Sequence, residues 1–392
     1  MAARPSKTAL FAWEIGEGLG HVPTLKVIAG ALQREGWTTI FALRDPIHTR
    51  TSLAELNCAV LASPFWPNPV AVAKPTFSYA DILGANGFSS PRNVDALMQA
   101  WDNLLAVTKP DLLICEHAPG AAVAAFGRIP VAVVGNGFVV PPAEGSVFAS
   151  YKPASREPGS QATILAAMQE ALAQRGRPPP RTITEPFRGA FRAVYGFPEL
   201  DPYRAIRKDE VLGPLESLPP LSPLPSQPRL FAYSAGDYAL IDELAAVLMD
   251  LGPQASAYFR GAIGARGAIL RSRGVGVYPD APPLSEVLPQ ATCVFSHAGS
   301  GLTSAALAAG RPQILNPRHR EGDLTAKLLE ELGVGIAIAP LERERLRAAI
   351  NHLNNDQQFH IAAHQAGEAA HEFVEKRNAL RRTVAALDAV AR

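Results

Sequence analysis

The chain has 392 residues, and its 37 Lys and Arg against 36 Asp and Glu leave a formal net charge of only +1. So even a balance argues against nucleic acid or another polyanion as partner, and the length suits two α/β domains better than one core. Cys58, Cys115 and Cys293 sit in apolar runs without a CxxC spacing, no uninterrupted apolar run reaches the ~18 residues of a membrane span, and no signal-peptide order opens the chain. The expectation is a cytoplasmic protein with reduced, buried thiols and no transmembrane segment.

Residues 10–13 form an apolar run that predicts a first strand, followed by the loop Glu14-Ile15-Gly16-Glu17-Gly18-Leu19-Gly20 and a helix over 21–35. In that helix Leu25, Ile28, Ala29 and Leu32 recur at helical spacing, Pro23 lies in the first turn, and Gly36 closes the end. Residues 38–42 and 59–62 read as the next strands. Residues 63–91, rich in Pro, Gly and aromatics, read as a long loop of the kind that carries binding. A helix over 94–107 leads to two near-continuous apolar runs, 112–115 and 131–134, which suit a parallel sheet covered on both faces. Helices are expected over 164–172 and 187–195, with a break at the prolines of 178–180.

Residues 213–228 carry six prolines and no periodic pattern, so they read as a linker. The alternation then restarts: strand 230–233, helix 238–251, strands 255–259 and 275–278, the strand opening 291–310, and further βα pairs through 353. The expected organisation is an N-terminal domain over 1–212, a linker over 213–228, a C-terminal domain over 229–355 and a terminal helix over 356–392. Two such halves predict an α/β pair of doubly wound, Rossmann-like domains facing a cleft.

The stretch ATCVFSHAGSGLTSAALAAG over 291–310 runs from an apolar strand through the small turn His297, Ala298, Gly299, Ser300, Gly301 into an Ala-rich helix from about Leu302. The unpaired N–H groups and positive dipole end of such a helix stabilise phosphate oxygens without needing a metal. Turns of this composition also occur without a ligand. Glycines at every second position in 16–20 miss the G-x-G-x-x-G spacing, which argues against a nicotinamide enzyme. That loop delivers His21 to a helix start at the carboxyl end of a strand, where a neutral imidazole takes a proton near pH 7 or simply caps the helix. Glu116 ends the 112–115 run at the same sheet edge, either as a solvated strand end or as the carboxylate that orients His21; adjacent His117 is the alternative functional residue. Asp111 reads as structural.

Gly20-His21-Val22-Pro23, the segment Lys109-Pro110-Asp111 through Glu116, Pro283-Leu284-Ser285-Glu286-Val287-Leu288-Pro289, His297-Ala298-Gly299-Ser300-Gly301 and Ala309-Gly310-Arg311-Pro312-Gln313 together resemble the bacterial nucleotide-sugar glycosyltransferases of the UDP-glycosyltransferase-like group. The resemblance implies a GT-B fold and an inverting, metal-independent transfer from a nucleoside-diphosphate sugar to a small-molecule acceptor, with no cofactor. It implies His21 as general base and Glu116, usually an Asp, as its orienting acid. It also implies His297, Gly299, Ser300, Gly301 and Ser234 around the donor diphosphate, with Glu321 toward the donor sugar and a terminal helix that crosses back to the first domain. Arg318 and Arg320 are further cations near that loop.

Two positions depart from the pattern: Ala305 stands where the group commonly has the Glu that holds the ribose, and Gly322 follows Glu321 where it has a Gln. A shift of one or two residues would use Asp323 instead of Glu321. The aromatics Phe65, Trp66, Phe77, Tyr79 and Phe88 in 63–91 either shape a partly apolar acceptor pocket or pin the segment down. An active transferase is the first reading; an inert transferase-like helper and another GT-B enzyme, such as an epimerase or phosphorylase, are the others.

Overall fold

The computed structural model describes residues 7–16, 18, 20–70, 77–151 and 160–391. Glu17 and Leu19 of the first loop, and part of the aromatic segment over 71–76, lie outside the described residues. The chain divides into two compact units, one of Met1–Gly196, Tyr203–Glu216 and Asn378–Arg392, the other of Phe197–Pro202 and Ser217–Arg377.

The first unit holds β1 (Thr8–Trp13), β2 (Thr38–Leu43), β3 (Ala59–Ala62), β4 (Leu112–Glu116), β5 (Val131–Asn136) and β6 (Phe191–Tyr195) in the order β3-β2-β1-β4-β5-β6, every pairing parallel. The second holds β7 (Leu230–Ala235), β8 (Ala255–Arg260), β9 (Gly276–Tyr278), β10 (Cys293–Ser296), β11 (Gln313–Leu315) and β12 (Gly335–Ala337), parallel throughout, in the order β12-β11-β10-β7-β8-β9. Counted from its own first strand, each sheet runs 3-2-1-4-5-6. The order reverses between β1 and β4 in one unit and between β7 and β10 in the other, and ligands of open α/β sheets collect at the carboxyl ends of such strand pairs.

Burial on both faces explains the near-continuous apolar run of the central strands β1, β4, β5 and β10. Phe11, Trp13, Phe41 and Ile114 pack with Leu25, Ile28 and Leu32 of the helix Val22–Arg34 in the first core, and Phe295, Ile314, Leu244 and Leu248 belong to the second. The helix Ala379–Val390 belongs to the first unit, where Leu387 joins the core and the Thr383 hydroxyl lies 2.9 Å from the Tyr195 phenol. The preceding helix Gln357–Glu375 belongs to the second, so the expected single terminal helix is two.

Other expectations need correcting. The helix expected over 187–195 is strand β6, because Phe191, Val194 and Tyr195 prefer an extended backbone and β5 offers an edge to pair with; Gly189 and Gly196, both at positive φ, bracket it. Residues 63–91 are not one loop: Tyr79–Leu83 is helical and runs into a π-turn at Gly84–Phe88. There Tyr79 and Phe88 are buried, and Phe65 lies 4.4 Å from the Arg44 guanidinium, so these aromatics pin the segment to its unit. A helix at Ala265–Ser272 went unread because Gly267 and three arginines in 265–273 obscure its periodicity. Cys115 and Cys293 are buried, and burial pushes the Cys293 thiol up to about 12; Cys58 is only half-buried.

Candidate active site

At the end of β1 the chain turns through Gly16, at φ 108°, and Gly18, at φ 81°, to reach His21 at the start of the helix Val22–Arg34. The His21 side chain makes no capping hydrogen bond to that helix, so the capping role does not hold. Its Nδ1 lies 2.7 Å from Oε2 of Glu116, the last residue of β4 and the register partner of Trp13. A carboxylate only accepts, so Nδ1 carries the hydrogen and the ring's lone pair is on Nε2. The Trp13 indole stacks on the imidazole at 5.0 Å between centroids. The pair is well shielded, with 13% of the His21 side chain and 6% of the Glu116 side chain exposed. Gly16 approaches from the Nε2 side so closely that a Cβ there would sit 2.4 Å from that nitrogen.

His117 does not compete for the role of base. Neither of its ring nitrogens has a hydrogen-bond partner among the described residues, and both are sealed from solvent, with Tyr79 and Phe138 against the ring. Burial, reinforced by the nearby His21, holds its pKa well below the usual value. Asp111 is structural: its carboxylate accepts the Thr8 N–H at 2.7 Å. One buried acid was missed. Glu14, directly after β1, is 1% exposed, and burial raises its pKa to about 8.

In the second unit β10 ends at Ser296, and the chain passes through His297 and Ala298, at φ 58°, into the helix Ser300–Ala308, which starts two residues earlier than its periodicity predicts. Gly299 precedes the helix at φ −69° with no side-chain cap, leaving the first-turn N–H groups to other acceptors. A Cβ on Gly299 or Gly301 would meet nothing within 4 Å. Neither packing nor backbone conformation demands glycine there, and the smallness leaves open room at a positive helix end.

His297 is held at both ring nitrogens. Nδ1 lies 3.0 Å from the Asn316 carbonyl oxygen and so carries the hydrogen; Nε2, 3.0 Å from Ser234 Oγ, accepts from that hydroxyl. The Tyr238 ring meets the imidazole at 4.7 Å, edge on, and its hydroxyl donates to Asn316 Oδ1 at 2.6 Å. Burial, with Arg318, His319 and Arg260 adding like charge, holds the His297 pKa below its usual value. Ser234 is fully buried behind His297.

Glu321 is half-buried and Asp323 exposed in the first turn of the helix Arg320–Glu331. Between them Gly322 is buried, and a Cβ on it would lie 3.0 Å from the His297 carbonyl oxygen and 3.2 Å from Pro317 Cβ, so a Gln there would require its neighbours to shift. Ala305 is buried in an apolar cluster with Phe231, Leu288 and Val294, surroundings with no place for a carboxylate. Among the described residues no three His, Cys, Asp or Glu side chains are grouped to hold a metal ion, and no helix is long and apolar enough to cross a membrane.

Residues 274–374 match the family described as erythromycin biosynthesis protein CIII-like, C-terminal domain, a span that includes the cradle turn. The elloramycin glycosyltransferase ElmGT of Streptomyces olivaceus is 30% identical over 269 residues, 62% of this chain and 60% of that protein's length. The L-demethylnoviosyl transferase of Streptomyces niveus is 26% identical over 336 residues, 82% of this chain and 83% of its own. The crystal structure of CalG4, the calicheamicin glycosyltransferase, superposes with a TM-score of 0.71 over 99% of this chain and 98% of that one, at 17% identity. The chain is similar to these glycosyltransferases, and its fold is GT-B. Each of the two described turns follows a strand at the point where its sheet reverses order, β1 beside β4 and β10 beside β7.

Proposed function

We propose that the protein is an inverting, metal-independent glycosyltransferase that moves a sugar from a nucleoside-diphosphate sugar to a hydroxyl of a small, partly apolar acceptor. The observation that carries this reading is the 2.7 Å contact between His21 Nδ1 and Glu116 Oε2, which joins residues 95 positions apart at the carboxyl ends of two adjacent strands. With Nδ1–H committed to the carboxylate, Nε2 takes the acceptor hydroxyl proton, and the acceptor oxygen attacks the anomeric carbon from the face opposite the leaving nucleoside diphosphate. Glu116 stabilises the imidazolium that forms. Negative charge grows on the diphosphate, and the open N–H groups of Gly299, Ser300 and Gly301 at the helix start oppose it, with His297 beside them. Glu321 is assigned to the donor sugar.

The test is a calorimetric panel of UDP, dTDP and GDP, followed by transfer assays with the sugars of whichever nucleotide binds and with hydroxylated aromatic acceptors. Binding and transfer are expected together. The inert-helper reading is favoured by Ala305 and Gly322, which lack the expected Glu and Gln; nucleotide binding without turnover would establish it. Conversion of the nucleotide sugar with no acceptor present would point to an epimerase.

A further inference from the structure

Glu14 takes part in no step above, yet it is the most completely buried acid beside the proposed base. Its Oε2 accepts the Gly120 N–H at 2.7 Å and the Ala121 N–H at 3.3 Å. Its main chain is fixed as well: the Glu14 and Ile15 N–H groups donate to the His117 carbonyl at 3.4 and 2.9 Å, and Arg44 Nη1 donates to the Glu14 carbonyl at 2.9 Å. Gly120 makes the approach possible, since a Cβ there would lie 2.7 Å from Oε2 and 2.8 Å from Oε1. His117 sits at φ 49°, a backbone that a non-glycine residue keeps only when its neighbours hold it. Residues 117–121 begin directly after Glu116, and Gly16, which lies against His21 Nε2, follows Glu14 by two.

We infer that Glu14 is a positioning residue, whose carboxyl ties the turn that follows Glu116 to the loop that leads to His21 and so fixes the distance between the two. The inference rests on His21 being the base. The tie works through hydrogen bonds accepted, not through charge. The groups that face the carboxyl are the Arg44 guanidinium, the Trp101 indole, the Tyr79 phenol and the Cys115 thiol, and burial raises its pKa to about 8. An amide oxygen accepts the same two N–H groups, so glutamine should replace it.

The experiment compares Glu14→Gln and Glu14→Ala in the full chain, reading sugar transfer across pH and nucleotide affinity by calorimetry. Glu14→Ala is expected to lower kcat by about 10- to 100-fold, the scale of a small misplacement of catalytic groups, with nucleotide Kd unchanged. The acidic limb of its pH–rate profile should move to lower pH, as in Glu116→Gln, because a loosened carboxylate stabilises the imidazolium less. Glu14→Gln should keep both the parent rate and the parent profile. If Glu14→Ala does not fold, Glu14→Asp, too short to reach both N–H groups, takes its place. A parent-like rate in the Ala or Asp variant overturns the inference, as does a rate loss with no movement of the pH profile, or a Gln variant as damaged as the Ala one. If His21→Ala itself transfers sugar at the parent rate, the proposed function fails instead; if His21→Ala is inactive and Glu14→Ala normal, only the tie fails.

Discussion

The turn after β1 and the turn after β10 both lie where their sheet reverses order, one after the first strand of its sheet and the other after the fourth, and the small residues around them differ in their surroundings. Around His21 and Glu116 three glycines are filled around: Gly16 after β1 lies against His21, Gly120 after β4 against Glu14, and Gly135 in β5 against Val139 and Glu116, and a Cβ on any of them would collide. After β10, Gly299 and Gly301 face open space at ordinary backbone angles, as does Gly20 just before His21. Glycine therefore means two things in one chain. Around His21 and Glu116 it lets the protein close on its own side chains; at Gly299 and Gly301 it leaves the helix start clear of protein atoms.

The comparison breaks first at His21. His21→Ala should lower kcat by about 10²–10⁴-fold while nucleotide affinity, assigned to the other unit, stays nearly unchanged. Glu116→Gln should fall between, with the acidic limb of the pH–rate profile moved to lower pH: the base works deprotonated, and losing a neighbouring carboxylate lets it stay deprotonated in more acid. Ala305→Glu comes next. It places a carboxylate among Phe231, Leu288 and Val294, and thermal or urea unfolding should show a loss on the order of 3 kcal/mol instead of the tighter ribose binding that the resemblance alone suggests.

Gly16→Ala and Gly299→Val sharpen the contrast between the turns. Gly16→Ala should cost about 1–3 kcal/mol in strain and lower turnover by displacing the His21 ring. Gly299→Val should leave stability within about 0.5 kcal/mol yet weaken nucleotide binding about tenfold, read by calorimetry. Equal stability losses in both would mean that the second turn is packed as the first is. The smallest effect belongs to His297. Its folded pKa is depressed, so the contribution is present above the unfolded value near 6.5 and is lost as pH falls below it; His297→Asn should slightly flatten the acid-side decline in Tm.

Much of this was legible as pattern. β1, β4, β7 and β10 read directly as apolar runs, and His21 and Glu116 read as neighbours because both follow strands at one sheet edge. Ser300 was legible as part of the cradle, though the helix includes it from the start. What stayed hidden depends on contacts across the sequence. An acid one residue past a strand reads as a loop residue until the fold lays the Gly120 and Ala121 N–H groups over Glu14. His117 stood as the alternative to the favoured residues until burial sealed both its nitrogens. Ala305 and Gly322 were visible as departures, but the apolar surroundings of one and the tight backbone approach of the other are properties of packing. β6 was misread because a five-residue strand between two glycines carries too little periodicity to oppose a helical reading.

The helix Ala379–Val390 has a consequence for the order of synthesis. A ribosome delivers all six strands of the first sheet, through Tyr195, before any of β7 to β12. Leu387, which completes its core, and Thr383, which meets the Tyr195 hydroxyl, are made only after all of β7 to β12. The core of the first unit is therefore complete only after the whole second sheet has been translated, although its own six strands come first.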